Sequence, residues 1–239
     1  STVTYKGKEM IMLASNNYFG LNNHPDVKKA GIAAIKKYGV GNGASRLVVN
    51  LDIQNSLEKA IAAYKHEEAA LVFTSGYTAN VGIISSLMGE DGIILSDELN
   101  HASVIDGCRL SKASVLVYNH CNMTDFEMQL KKVKGKQILV VTDSVFSMVG
   151  DVAPLQEMIA LKKKYRFKLM IDDAHATGIV DTNFSGVDIH MGTLSKSLGN
   201  QGGYVAGSQD LIDFLKNKSR PFFFSTGLNP VNCAGALEA

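Results

Sequence analysis

The 239-residue chain predicts an α/β fold whose mostly parallel sheet carries helices on both faces. Three observations lead there. Short apolar runs of strand length alternate along the chain with amphipathic helical stretches. The runs are apolar throughout rather than alternating with polar residues, as strands buried on both sides must be. The composition, 46% hydrophobic and 20% charged, is that of an ordinary globular protein and excludes a disordered or coiled-coil chain.

In chain order, residues 24–38 place Val27, Ala30, Ala34, Ile35 and Tyr38 at helical spacing, and residues 53–64 repeat the pattern with Ile53, Leu57, Ile61 and Tyr64. Residues 69–73 form a short apolar run, followed by Ser75-Gly76 and a small-residue helix through about Met88. Further buried strands are expected at 93–95, 115–117, 138–141 and 169–171. The intervening segments near 101–110, 123–133 and 154–165 read as helices. No repeat, low-complexity segment or Ser/Pro linker interrupts this order. In sheets of this kind the ligand crevice lies just past the carboxyl ends of the strands.

Twenty-four basic against 23 acidic side chains leave a charge of +1, so neither a nucleic-acid nor a membrane partner is expected. The longest apolar runs fall far short of the ~20 residues a bilayer requires. The polar start of the chain has no apolar core of a secretion signal. Cys108, Cys121 and Cys233 are scattered, which suggests free thiols in a reducing compartment, and a cytoplasmic protein.

Four places could carry chemistry. Leu169-Met170-Ile171-Asp172-Asp173-Ala174-His175 ends an apolar strand in two carboxylates and an imidazole. That pattern suits a helix N-cap, a metal site or a catalytic centre. Gly192-Thr193-Leu194-Ser195-Lys196-Ser197-Leu198-Gly199 sets a lysine among small and hydroxylic residues. Such surroundings admit a bulky ligand, and partial burial would lower the amine pKa from ~10.4 towards that of a Schiff-base lysine. A phosphate-binding or plain loop lysine also fits, although the Walker A order is absent. Thr74-Ser75-Gly76-Tyr77 follows a strand and opens a helix, whose free N–H groups can bind phosphate. Asn100-His101-Ala102-Ser103 begins another helix with an imidazole, as a cap, a packed residue or a ring that stacks on a ligand. Together, a lysine for an imine, an aspartate beyond a strand, a glycine-bearing helix start for a phosphate and a histidine to stack match pyridoxal 5'-phosphate.

At residues 14–21 (Ala-Ser-Asn-Asn-Tyr-Phe-Gly-Leu), 41–46, 96–109, 142–151, 172–178, 192–199 and 220–226 the chain resembles the α-oxoamine synthases, pyridoxal-phosphate enzymes of the aspartate aminotransferase fold. The resemblance runs in order along nearly the whole chain. It implies the fold type I large domain at 23–229, an N-terminal arm at 1–22, and at 230–239 the start of a helix leading to a small C-terminal domain absent from this chain. It implies an acyltransferase using an amino acid and an acyl-CoA or other acyl thioester, in a homodimer with shared active sites. By matching motif, Lys196 resembles the lysine that carries the cofactor and Asp172 the partner of its pyridine nitrogen. His175 resembles the residue on the phenolic oxygen, and His101 the one stacked on the ring. Ser147 matches a cofactor-site serine. Ser75, Gly76, Tyr77 and Thr193 match phosphate or ring contacts. Ser225 and Thr226 match residues that reach the phosphate in the other subunit, and Asn17 one near the amino-acid carboxylate. Gln54 stands where the family usually has histidine, Val149 where it has aspartate, and 179–188 is shorter than the family's glycine-rich loop. A non-catalytic partner subunit, expected to lack the lysine, and an aminotransferase needing no thioester are the competing readings.

Overall fold

The structure is a computed structural model and describes residues 2–133 and 135–239. The chain opens with an antiparallel hairpin of β1 (Thr2–Tyr5) and β2 (Lys8–Ile11), turned at Lys6 and Gly7, both at positive φ. Both strands are exposed on each face. After α1 (Pro25–Tyr38) and α2 (Asp52–Lys65), strands and helices alternate: β3 (Ala69–Phe73), α3 (Gly76–Leu87), β4 (Ile93–Asp97), α4 (Ala102–Ser111), β5 (Ser114–Tyr118), α5 (Met123–Lys132), β6 (Ile138–Asp143), α6 (Leu155–Tyr165) and β7 (Lys168–Asp172). The chain ends with β8 (Ile189–Thr193), β9 (Gly203–Gly207), α7 (Gln209–Lys218), the single turn α8 (Arg220–Phe223) and α9 (Pro230–Glu238).

Seven strands form one sheet in the order β3-β9-β8-β7-β6-β4-β5. All neighbours are parallel except β9, which runs antiparallel to both β3 and β8. The expected fold class therefore holds, with one reversed strand as its refinement. The unbroken apolar runs have a simple cause. Alternate residues of each strand enter separate cores on opposite faces: Leu139, Val141 and Met170 join α3, α4 and α7, while Ile138, Val140, Leu169 and Ile171 join α5 and α6. A third core, with Leu57, Ile61, Val72, Leu194 and Tyr204, lies under α2 and α9. Full burial of each such side chain contributes about 1.5–3 kcal/mol.

Strands β8 and β9 are not evident from the apolar runs, and glycine is the reason. A Cβ at Gly192 would overlap the Tyr204 ring, and one at Gly203 would overlap the Ser75 carbonyl. Close approach of a ring in one case and of a neighbouring backbone in the other thus thins the pattern by which strands are read.

Gln54 has a structural account. It is fully buried; its Oε1 accepts from Leu51 N at 3.0 Å, and its Nε2 donates to Leu228 O at 2.7 Å and to Asn42 Oδ1 at 3.2 Å. It ties the start of α2 to the loop before α9. Nothing in the structure explains Val149, which is exposed. Among the described residues, no helix is long and apolar enough to cross a membrane.

Candidate active site

The carboxyl ends of β6, β7 and β8 and the β3–α3 corner enclose a cavity of about 250 Å³. Ser75, Gly76, Tyr77, His101, Asp172, His175, Thr193 and Lys196 all line it. Four other expected residues do not. Ser147 is exposed in the turn after β6, and Ser225 and Thr226 follow α8. Asn17 donates to Asn22 Oδ1 at 2.7 Å.

At the β3–α3 corner, Ser75 caps α3. Its Oγ accepts from Thr78 N at 3.1 Å, while Thr78 Oγ1 accepts from Ser75 N at 3.1 Å, a reciprocal capping box. The cap leaves the first amides of a twelve-residue helix at the cavity wall, a favourable setting for a phosphate. Thr193 and Ser195 add hydroxyls 2.8 Å apart.

At the ends of the central strands lies the carboxylate wall. Asp172 is buried; its Oδ2 accepts from Asn80 Nδ2 at 2.7 Å and its Oδ1 from Ala174 N at 2.9 Å. The cap-like contact to Ala174 is present, but no helix follows; residues 174–179 are turns. Burial raises the Asp172 pKa against the opposing effects of Asn80, Ala174 and Lys196. Asp143, its register partner on β6, is pushed up to about 8 by burial and by the neighbouring Asp172. Asp173 turns away to the far side of the sheet, where Lys65 Nζ at 2.8 Å and Ser144 Oγ at 2.6 Å donate to it. Burial alone would raise its pKa, yet His190, Lys65 and Ser144 hold it below the ordinary value. The two adjacent aspartates thus do different work.

Lys196 is half-buried in the loop from β8 to β9, and its Nζ lies 2.8 Å from His175 Nε2. Burial lowers its pKa against the pull of Asp172 and Asp143. His175 is pushed down to about 4 by burial and then by the Lys196 and His101 charges, so it is neutral near pH 7. An ammonium at Lys196 has no lone pair; it donates to Nε2, leaving the ring proton on Nδ1, 2.5 Å from the Tyr18 hydroxyl. His101 is both cap and cavity residue, its Nδ1 accepting from Ser103 N at 3.2 Å. Sequence reasoning missed Asn80, Ser103, Asp143 and Tyr18 as members of this site.

The donor set fits pyridoxal 5'-phosphate. The amine can form an imine, the helix start and hydroxyls suit a phosphate, and a buried carboxylate whose pKa is raised is stabilised by a ring cation beside it. Lysine, aspartate and helix terminus at the carboxyl end of such a sheet define the class of pyridoxal-phosphate enzymes of fold type I. The chain belongs to the aminotransferase class I and II family, whose model matches residues 8–239. It is 50% identical over 246 residues to the 8-amino-7-oxononanoate synthase of Thermoanaerobacter pseudethanolicus, covering 98% of this chain and 62% of that relative. Among solved structures, the serine palmitoyltransferase of Sphingomonas wittichii superposes with a TM-score of 0.94 at 34% identity, over 98% of this chain and 62% of that one. A serine palmitoyltransferase structure described as holding a PLP internal aldimine matches with a TM-score of 0.91 at 32% identity, over 98% of this chain and 62% of that one. The chain therefore spans less than two thirds of the length of these relatives. Both names belong to the α-oxoamine synthases, the family its motifs resemble.

Proposed function

We propose that this chain forms the cofactor-binding part of an 8-amino-7-oxononanoate synthase, condensing alanine with a pimeloyl thioester and releasing the thiol and carbon dioxide in biotin synthesis. The observation that carries the reading is Lys196, an amine with a lowered pKa, 2.8 Å from a neutral imidazole in a cavity that also holds Asp172. The 50% identity to an enzyme of that name supports the choice within the family.

Pyridoxal 5'-phosphate, when bound, supplies an electron sink for negative charge at the substrate Cα. The protein's residues supply the rest. Lys196 loses its proton more readily than a surface lysine, so it can attack a carbonyl and later take a proton from Cα. His175 holds that amine in place and would orient the cofactor's phenolic oxygen. Asp172, steadied by Asn80 and Ala174, would keep its pyridine nitrogen protonated. The α3 amides, with Thr193 and Ser195, would bind its phosphate, and His101 would lie beside its ring. Ser147 and Asn17 are assigned to the cofactor and amino-acid sides by motif. Ser225, Thr226 and the exposed Phe224 would complete the site of a second copy, giving a homodimer. A cytoplasmic setting belongs to the same reading, since free thiols persist in reducing compartments.

The deciding experiment assays glycine, alanine and serine against acetyl, succinyl, palmitoyl and pimeloyl thioesters, following thiol release. Alanine with the pimeloyl thioester is expected to be preferred. Preference for glycine with acetyl-CoA, or serine with palmitoyl-CoA, would overturn the assignment.

A further inference from the structure

In the loop between β5 and α5, His120 stands between two carboxylates. Its Nδ1 is 2.9 Å from Asp97 Oδ1, at the end of β4, and its Nε2 is 3.1 Å from Asp151 Oδ2, in the turn after β6. The ring is 16% exposed and meets Phe146 edge-on, with centroids 4.4 Å apart. The backbone is also fixed: His120 N donates to Glu98 Oε1 at 2.9 Å, and Cys121 N to Asp97 Oδ2 at 3.0 Å.

Ionised carboxylates only accept hydrogen bonds. An ionised carboxylate at each ring nitrogen requires both nitrogens to donate, so the form of His120 that makes both bonds is the imidazolium. Burial pulls its pKa down, but the hydrogen bonds to Asp97 and Asp151, and their charges, more than offset this and raise it. Glu98 and the Cys121 thiol are further titratable groups beside it, with Tyr118 and Asp125 on the same loop's flanks. The ligand atoms of Asp97, His120 and Cys121 lie within 4.8 Å of one another, as in a metal site. Asp97, however, already accepts from Leu99 N, Cys121 N and the imidazolium. The Cys121 thiol is pushed up to about 11 by burial and the nearby Asp97 and Asp151 charges. The cluster is a clamp.

What it clamps is a turn. Phe146 N donates to Asp151 O at 2.9 Å and Gly150 N to Phe146 O at 2.8 Å, and Val145 bridges to Val152 at its base. Val145 lines the cavity, and Ser147 sits in the turn. We propose that His120 is a positioning residue: clamped as an imidazolium between Asp97 and Asp151, it holds the 146–151 turn against the cofactor site. The role rests on the pyridoxal-phosphate reading. A raised histidine pKa is a contribution fully present below the ordinary imidazole value and lost as pH rises through the folded-state value. The clamp therefore opens on the alkaline side.

The test compares His120→Gln, Asp151→Asn and the double variant with the wild-type chain, Lys196 being intact in all. Amide exchange at Phe146 and Gly150 is measured without cofactor, and the dissociation constant for pyridoxal 5'-phosphate by visible absorbance from about pH 6 to 9. Each single variant should exchange these amides roughly tenfold faster and bind the cofactor roughly tenfold more weakly. The double variant should be no worse than either single one. Binding to the wild type should weaken on the alkaline side, and in the variants that weakening should vanish. Wild-type exchange rates in both single variants would overturn the clamp. Faster exchange with an unchanged dissociation constant and pH profile would overturn the positioning role. If the wild-type chain takes up no pyridoxal phosphate, the cofactor reading fails and the positioning role with it, while amide exchange still reports on the clamp.

Discussion

Asp143 and Asp172 are register partners at the carboxyl ends of β6 and β7, and both buried carboxyls line the same cavity. Like charges so placed are not both ionised at low cost. With Asp143 pushed up to about 8 from an ordinary 3.8, the folded cofactor-free chain holds a proton there that the unfolded chain has lost. Stability must then fall as pH rises from the ordinary carboxyl value to about 8, and level off above it. Thermal melts of cofactor-free protein should show this slope, and Asp143→Asn should flatten it. An unchanged slope would show that the proton sits elsewhere.

Lys196 should be the residue that takes the cofactor. Borohydride reduction of the holoprotein and peptide mapping should place the pyridoxyl label there. Label on the solvent-exposed Lys168 instead would refute the assignment.

Asp172→Asn should still bind cofactor, because the helix start and Lys196 remain, yet lose turnover by about 10²-fold or more. The amide cannot hold a proton on a ring nitrogen. Near-normal activity would transfer that role to another group. Asp173 is a poor candidate, since Lys65 and Ser144 occupy it.

Gln54→Ala should destabilise the fold by about 2–3 kcal/mol, since it strands the Leu51 amide and leaves the Leu228 carbonyl with only the weak Cys233 thiol donor at 3.9 Å. Denaturant unfolding measures this directly. A loss under about 0.5 kcal/mol would mean that water replaces the amide at little cost.

The parts of the site carried by local pattern were legible in the sequence. Lys196 in its hydroxylic loop, Asp172 after an apolar run and Ser75-Gly76 at a strand-to-helix corner each announce themselves within a few residues. Asn80 does not. It lies within a helix of small residues and reaches Asp172 only because α3 packs along the sheet. Asp143 was hidden for a similar reason: the apolar run ends at Val141, but the strand continues to the carboxylate, and its neighbour is set by strand order. Tyr18 meets His175 across 157 residues of sequence, a distance no periodicity spans. The apolar runs located five strands of the main sheet, whereas the glycines of β8 and β9 concealed the other two and the reversal of β9.

That reversed strand bears on how the chain is made. Strand β9 is the last of the sheet to leave a ribosome, yet it lies second in the sheet, between β3 and β8, with Gly203 opposite both Phe73 and Thr193. Until it arrives, β3 has no partner for either edge, and the corner at Ser75 is not joined to the lysine loop. Such distant pairings form late and leave strand edges exposed meanwhile. A nascent chain halted short of β9 should accordingly depend on chaperone protection. The cofactor pocket should close in a single late step, when this one strand slides home.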